Sequence, residues 1–266
     1  MNISEENINK IISSDNEIIS TNNLDNNREE NININENNIN KSLSSFIKYI
    51  QYLLSKEKTT MDLKAQLSLR EDISLKDLFC IFDYNKRNII SKKEFKVVCK
   101  KIFGLYPTSD QVDLVFKRYD RDKDANLNLK EFLDMIKPLK EEYACFLFNK
   151  NKKEEKNNNK SNINMKSKKI FNDAIKRVIE NERDYYKFKD DLDNNNLFDL
   201  KEFWDIFEKY MKNEMGIDKV EMNNFLNDNG LSLSQYDIDI VFNKIDFDKD
   251  DIIGYDDLTQ EFVNYY

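Results

Sequence analysis

Histidine is absent from this 266-residue chain, glycine occurs four times and proline twice. Without histidine there is no imidazole acid–base catalysis, no Ser–His or Cys–His nucleophile and none of the commonest zinc sites. Gly104, Gly216, Gly230 and Gly254 cannot be arranged into a GxGxxG or GxxxxGK phosphate loop. So few turn-forming residues also exclude an all-β sandwich or barrel. The three cysteines, Cys80, Cys99 and Cys145, are odd in number and show no paired spacing, so no disulfide framework is expected. No run of about 18 apolar residues is present, and the first residues lack the apolar core of a secretory signal. A reduced, cytoplasmic protein without a transmembrane segment is expected. The formal net charge of −8 argues against a general nucleic-acid binder. No nucleophile is accompanied by a base and no cofactor loop is found, so the chain is expected not to be an enzyme.

What is present is charge and helical periodicity: 35% of residues are charged and 39% hydrophobic. Residues 1–40 contain fourteen Asn with many Glu and Ser, a low-complexity tail expected to be disordered because it buries too little apolar area to offset ordering entropy. Over 41–58, Leu43, Phe46, Ile47, Ile50, Leu53 and Leu54 follow helical spacing, with Ser42 as candidate N-cap. The spacing predicts an amphipathic helix of about three turns, packing on its own domain or serving as a docking helix. Residues 61–148 read as helix–loop–helix twice. Residues 149–167 are a Lys/Asn-rich solvated linker. From Lys168 to about Lys189 a second long helix carries Ile170, Phe171, Ala174, Ile175, Val178 and Ile179, and residues up to 266 are helical with a further acidic loop.

Two twelve-residue segments concentrate oxygen ligands at alternate positions. The first runs Asp120 to Glu131, with Asp120, Asp122, Asp124, Asn128 and Glu131 at positions 1, 3, 5, 9 and 12. The second runs Asp246 to Asp257, with Asp246, Asp248, Asp250 and Asp257 at 1, 3, 5 and 12. Ca²⁺ is a hard cation that takes about six to eight oxygens, and such a loop can wrap it. Asn126 and Ile252 at position 7 would add backbone carbonyls. Apolar residues keep one register on both flanks: Val112, Val115, Phe116 and Tyr119 before the first loop, Ile238, Val241, Phe242 and Ile245 before the second. Leu127 and Ile253 occupy position 8, where paired loops meet through a short strand. Ligands and helix faces in one frame resemble the EF-hand calcium-binding family, in which calmodulin and centrin are familiar members. The resemblance covers about residues 68–140 and 196–266.

The resemblance implies paired hands, so each loop needs an upstream partner. Asp83 to Glu94 keeps the frame, with Ile90 at position 8, but Arg87 puts a cation at position 5; a structural hand without metal is expected. For the last loop there are two choices. Asp191 to Glu202 has oxygens at 1, 3, 5, 9 and 12, yet Arg183, Lys187 and Asp190 break its entering frame. In the alternative alignment, Leu200, Phe203, Trp204 and Phe207 form the entering helix, the loop runs Glu208 to Glu221 with Ile217 at the strand position, and Asp199-x-x-Glu202 becomes a helix-start capping box. This shifted hand is degenerate and is preferred.

The expected architecture is therefore all-α: a disordered tail, then two lobes (residues 61–148 and 168–266), each a leading helix followed by a silent and an active hand, joined by a helix and a flexible linker. The implied cofactor is Ca²⁺, with Mg²⁺ competing at Asp246–Asp257 because Asp257 is one methylene shorter than Glu. Ala125 at position 6, where positive φ is needed, should cost about 1 kcal/mol. The resemblance implies a calcium-responsive regulator or adaptor whose lobes grip a target protein helix. The alternative is a structural component of a cytoskeletal or axonemal assembly with static lobes. Lys137-Pro-Leu-Lys-Glu-Glu-Tyr-Ala144 is similar to a protist cytoskeleton-associated subgroup and favours that alternative. Met135, Met211 and Met222 are groove or core candidates; Cys80 and Cys99 are expected to face core.

Overall fold

The computed structural model describes residues 41–154 and 163–263; the tail read over 1–40 lies outside them. Helix α1 spans residues 41–68 without interruption. Its buried stripe extends from Phe46, Tyr49, Ile50, Leu53 and Leu54 to Met61 and Leu67, well beyond three turns. Ser42 lies inside the helix rather than capping it, and its hydroxyl accepts the Asp199 backbone N–H at 3.0 Å.

The first pair of hands follows as α2 (Leu75–Phe82), β1 (Ile89–Ser91), α3 (Lys92–Phe103), α4 (Ser109–Tyr119), β2 (Asn126–Asn128) and α5 (Leu129–Ile136). Short polar side chains start these helices. The Ser74 hydroxyl accepts the Asp77 N–H, and Ser91 with Glu94, Thr108 with Gln111 and Asn128 with Glu131 form capping boxes. Strands β1 and β2 pair antiparallel with Ile90 opposite Leu127, so the position-8 residues meet as the loop frame requires. Both are fully buried.

Helix α6 (Glu141–Glu154) returns along α2 and inserts Leu147 into the first core. Helix α7 (Met165–Asn194) follows, so the stretch read as linker is helical at both ends of its described part. The second pair comprises α8 (Leu200–Phe207), a 3₁₀ turn at Glu208–Tyr210, α9 (Lys219–Asp228), α10 (Gln235–Ile245) and α11 (Tyr255–Phe262). Asp191–Asn194 form the last turn of α7, the Asp199 carboxylate caps α8 by accepting the Glu202 N–H, and Ile217 pairs with Ile253 through both backbone bonds, 3.1 and 2.9 Å. The backbone thus adopts the shifted alignment.

The long helices are exchanged between lobes. The aromatic half of α1 sits in the second core: Phe46 stacks on Phe203 at 4.4 Å and meets Phe207, Phe225 and Phe262. The first half of α7 fills the first core, where Phe171 packs edge-on against Phe82 and Phe103. Its second half, with Tyr185 and Leu192, continues into the second core. Helices α1 and α7 run antiparallel, joined by Lys56 to Asp184 and Asn181 to Thr60, with Ser45 to Leu197 and Arg70 to Ser167 tying each helix to the residues just beyond the other's end. They form a two-helix spine with one lobe wrapped around each end.

Between the cores lies a layer of buried charge. Glu57 and Lys64 come from α1, Arg118 from α4, Glu182 and Lys189 from α7, Lys244 from α10 and Glu261 from α11. Charges taken from water are tolerated when each meets an opposite charge and its remaining donors and acceptors are satisfied. Here Lys244 bridges Glu57 and Glu182, Lys189 holds Glu261, and the Tyr49 hydroxyl donates to Glu261. Burial alone would push the Glu261 carboxyl up, but Arg118 and Lys189 outweigh it and hold it down at about 2. Tertiary packing also corrects one cysteine: Cys99 is buried, its thiol pushed up to about 12, whereas Cys80 is exposed. Met135 and Met222 are fully buried core.

Candidate metal centres

In the Asp120–Glu131 loop the chain leaves α4, turns through positive φ at Lys123 and Ala125, and enters β2. The turn is drawn tight by the Asp120 carboxylate, which accepts the N–H groups of Asp124 and Ala125 at 3.2 and 2.9 Å. Carboxylate oxygens of Asp120, Asp122 and Asp124 come within 4.8 Å of one another. Burial raises the Asp120 carboxyl, and Glu131 and Asp124 add repulsion. Glu131, on the first turn of α5, folds back over the loop, its two oxygens accepting the Arg121 and Asn128 N–H groups at 2.8 and 2.9 Å. Asn128 caps α5 with Oδ1 and reaches Asp122 with Nδ2 at 3.5 Å. Asn126 opens β2, its N–H donating to Asp124.

The Asp246–Asp257 loop repeats the design. Lys249 and Asp251 have positive φ, and the Asp246 carboxylate accepts their N–H groups at 2.7 and 3.1 Å. Asp246, Asp248 and Asp250 also converge within 4.8 Å. Asp257 accepts the Phe247 and Gly254 N–H groups at 2.8 and 2.9 Å, the equivalents of those held by Glu131. Its shorter side chain therefore spans the same two loop positions. Burial raises the Asp246 and Asp257 carboxyls, with Asp248 and Asp250 adding to the effect at Asp257. The Lys249 ammonium donates to the Asn243 carbonyl at 2.6 Å and lies close enough to Asp246 to offset part of that rise. The Ile252 N–H donates to Asp250.

The other two hands carry their own cation. In Asp83–Glu94, Arg87 Nη2 lies 2.6 Å from Glu94 Oε2 and Asn85 donates to the other oxygen at 2.7 Å. Burial would raise the Glu94 carboxyl, but hydrogen bonds from Ser91, Arg87 and Asn85 bring it down to about 2. In the Glu208–Glu221 loop, Lys212 donates its backbone N–H to Glu221 and brings its ammonium within 3.5 Å. The position-12 carboxylate thus already faces a cation of its own hand in both. The two acidic loops instead offer oxygen donors with the carboxylates turned toward one another, a set that fits a hard divalent cation.

Sequence reasoning missed Arg118 and Lys244. Each stands two residues before position 1 of an acidic loop, where the other two hands have Ile81 and Ile206. Comparing that one position across the duplication would have shown charge where apolar core is expected.

Known proteins agree with this geometry. The family model described as an EF-hand domain pair matches residues 72–137. A myosin regulatory light chain from Dictyostelium discoideum is 34% identical over 62 residues, 23% of this chain and 38% of that protein. The calcium-binding protein CML19 from Arabidopsis thaliana is 33% identical over 63 residues, 24% of this chain and 37% of that protein. The chain thus spans less than two fifths of the length of either relative. Residues 72–137 thus match an EF-hand domain pair, and the second lobe is similar to it in its Ile217–Ile253 bridge and in the turns of its acidic loop.

Proposed function

We propose that the chain binds two Ca²⁺ ions, one per lobe, and acts as a calcium-responsive regulatory or adaptor protein. The first ion would be held by Asp120, Asp122, Asp124, the Asn126 carbonyl, Asn128 and Glu131. The second would be held by Asp246, Asp248, Asp250, the Ile252 carbonyl and Asp257, with Mg²⁺ as competitor. The observation that carries this reading is the convergence of three carboxylates in these two loops, set against the tethered Arg87 and Lys212 in the other two. The relatives support it by name: one is called a calcium-binding protein, the other a regulatory light chain. Calorimetric titration of the full chain with Ca²⁺ tests it. Two sites are expected, and Glu131→Gln should remove one by deleting a bidentate contact. A third ion would overturn the reading of the other two hands as metal-free, that of Arg87 if the ion is lost on Glu94→Gln; no ion would overturn the whole.

The filling of both grooves favours a second reading of how a partner is met. Phe46 and Phe171, from the chain's own helices, occupy the places a target helix would take. A partner would then meet the outside of a static adaptor, as in a cytoskeletal assembly, unless calcium releases α1. Hydrogen exchange over residues 41–68 with and without Ca²⁺ separates the two: faster exchange with Ca²⁺ supports release, unchanged exchange supports the static adaptor.

A further inference from the structure

We propose that Arg118 and Glu182 are positioning residues that bind the two acidic loops, one from each lobe, into a coupled pair, so that an ion at either raises the affinity of the other. The inference rests on reading both loops as calcium sites. Helices α4 and α10, which lead into those loops, end against each other. Arg118 Nη1 donates to the Lys244 carbonyl at 3.0 Å, and its guanidinium lies over the ring of Phe247, 4.6 Å from the centroid. Phe247 is position 2 of the second loop, while Arg118 is two residues upstream of the first. Arg118 and Lys244 also grip the same carboxylate: Arg118 Nε lies 3.2 Å from one oxygen of Glu182, and Lys244 holds the other. Arg118 Nη2 further contacts Glu261 on α11, 2.9 Å away, four residues beyond Asp257. One guanidinium therefore touches the helix entering the second loop, the loop itself and the helix leaving it.

Within each lobe the acidic loop is paired with a hand that has its own cation, so cooperation between two ions inside one lobe is closed off. The route left runs across the junction. Glu182 and Lys244 are buried and the Arg118 side chain is only 10% exposed, and such a packed layer changes between discrete arrangements rather than flexing continuously. An ion that moves or rigidifies either entering helix must rearrange or order this layer, and the second ion then meets it already rearranged. The cost is borne once, which makes the coupling positive and reciprocal.

The test uses the full chain, with Ca²⁺ titrations followed by calorimetry. Removing the second site with Asp248→Asn and Asp250→Asn should weaken the first by about five- to twenty-fold. In a Glu182→Gln background the same removal should change the first site by less than about two-fold. Because Glu182→Gln disturbs buried charge, Phe247→Leu provides a second background: it deletes the ring beneath Arg118, leaves every charge in place and should also reduce the coupling. If both loops bind but removing one leaves the other within two-fold in the otherwise unaltered protein, the coupling is wrong while the calcium reading stands. If the coupling persists undiminished in both backgrounds, Arg118 and Glu182 do not carry it. If neither loop binds, the calcium reading fails and the inference falls with it.

Discussion

Ala125 holds φ at 65°, in the left-handed region where a Cβ meets the backbone. The Asp120 carboxylate keeps it there by accepting its N–H. The equivalent residue of the other acidic loop, Asp251, has the same φ, and Asp adopts that conformation more readily. The strain at Ala125 follows from loop position alone, because any chain that turns around a cation there needs it. Ala125→Gly should relieve it, raising stability by about 0.5–1 kcal/mol, since lost strain outweighs the added freedom of the unfolded chain. Thermal unfolding without Ca²⁺ should show a higher midpoint; a lower one would mean that the turn is not strained. Gly216 is the opposite case. At φ 153° it lies against the Ile253 carbonyl, and an added Cβ would stand 2.4 Å from that oxygen. Nothing in its neighbours along the chain signals so close an approach.

At the scale of one hand, ligand spacing and flanking apolar frame were both legible, and they disagreed at one place. Asp191–Glu202 satisfied the ligands and failed the frame; the frame decided, because apolar residues must reach the core before a loop can be presented. Asp191–Asn194 are helical, and Ile217 rather than Phe198 pairs with Ile253. The last loop offers a graded test of ligand reach. Asp257 spans the Phe247 and Gly254 N–H groups, but a side chain one methylene short gives an ion less room for two-oxygen contact than Glu131 does. Asp257→Glu should raise the preference for Ca²⁺ over Mg²⁺ about ten-fold or more, because Ca²⁺ takes about six to eight ligands and Mg²⁺ six. Trp204 provides the readout: it is half-buried and meets Tyr255, at the end of that loop, edge-on at 5.2 Å. An unchanged preference in competition titrations followed by Trp204 fluorescence would show that position 12 does not tune this site.

At the scale of the whole chain, the duplication suggested that each leading helix serves the lobe that follows it. The structure crosses them. Phe46, ahead of the first lobe in sequence, is fully buried in the second. Phe46→Ala should therefore destabilise the second lobe by about 3–5 kcal/mol, the usual cost of emptying a buried aromatic site. The loss should be seen in Trp204 fluorescence during urea unfolding, even though about 158 residues separate the two positions. An unchanged Trp204 transition would contradict the exchange.

Composition and periodicity by themselves determined the helical class and the two loops with converging carboxylates, and placed Arg87 inside Asp83–Glu94, because each depends on residues within about a dozen positions of one another; the two partner hands followed from the resemblance. The partner of each long helix was beyond them. An amphipathic stripe states that a face must be buried and does not say against what; Phe46 would satisfy either core by area alone. The choice is made by groups far apart in sequence that meet in one place: Lys56 with Asp184, Glu57 and Glu182 with Lys244, and Arg118 with Glu261. Buried charge is costly unless matched, so only the arrangement that brings these partners together is stable. That pairing exists in three dimensions; the charges of Arg118 and Lys244 can be read along the chain, but not the groups they meet.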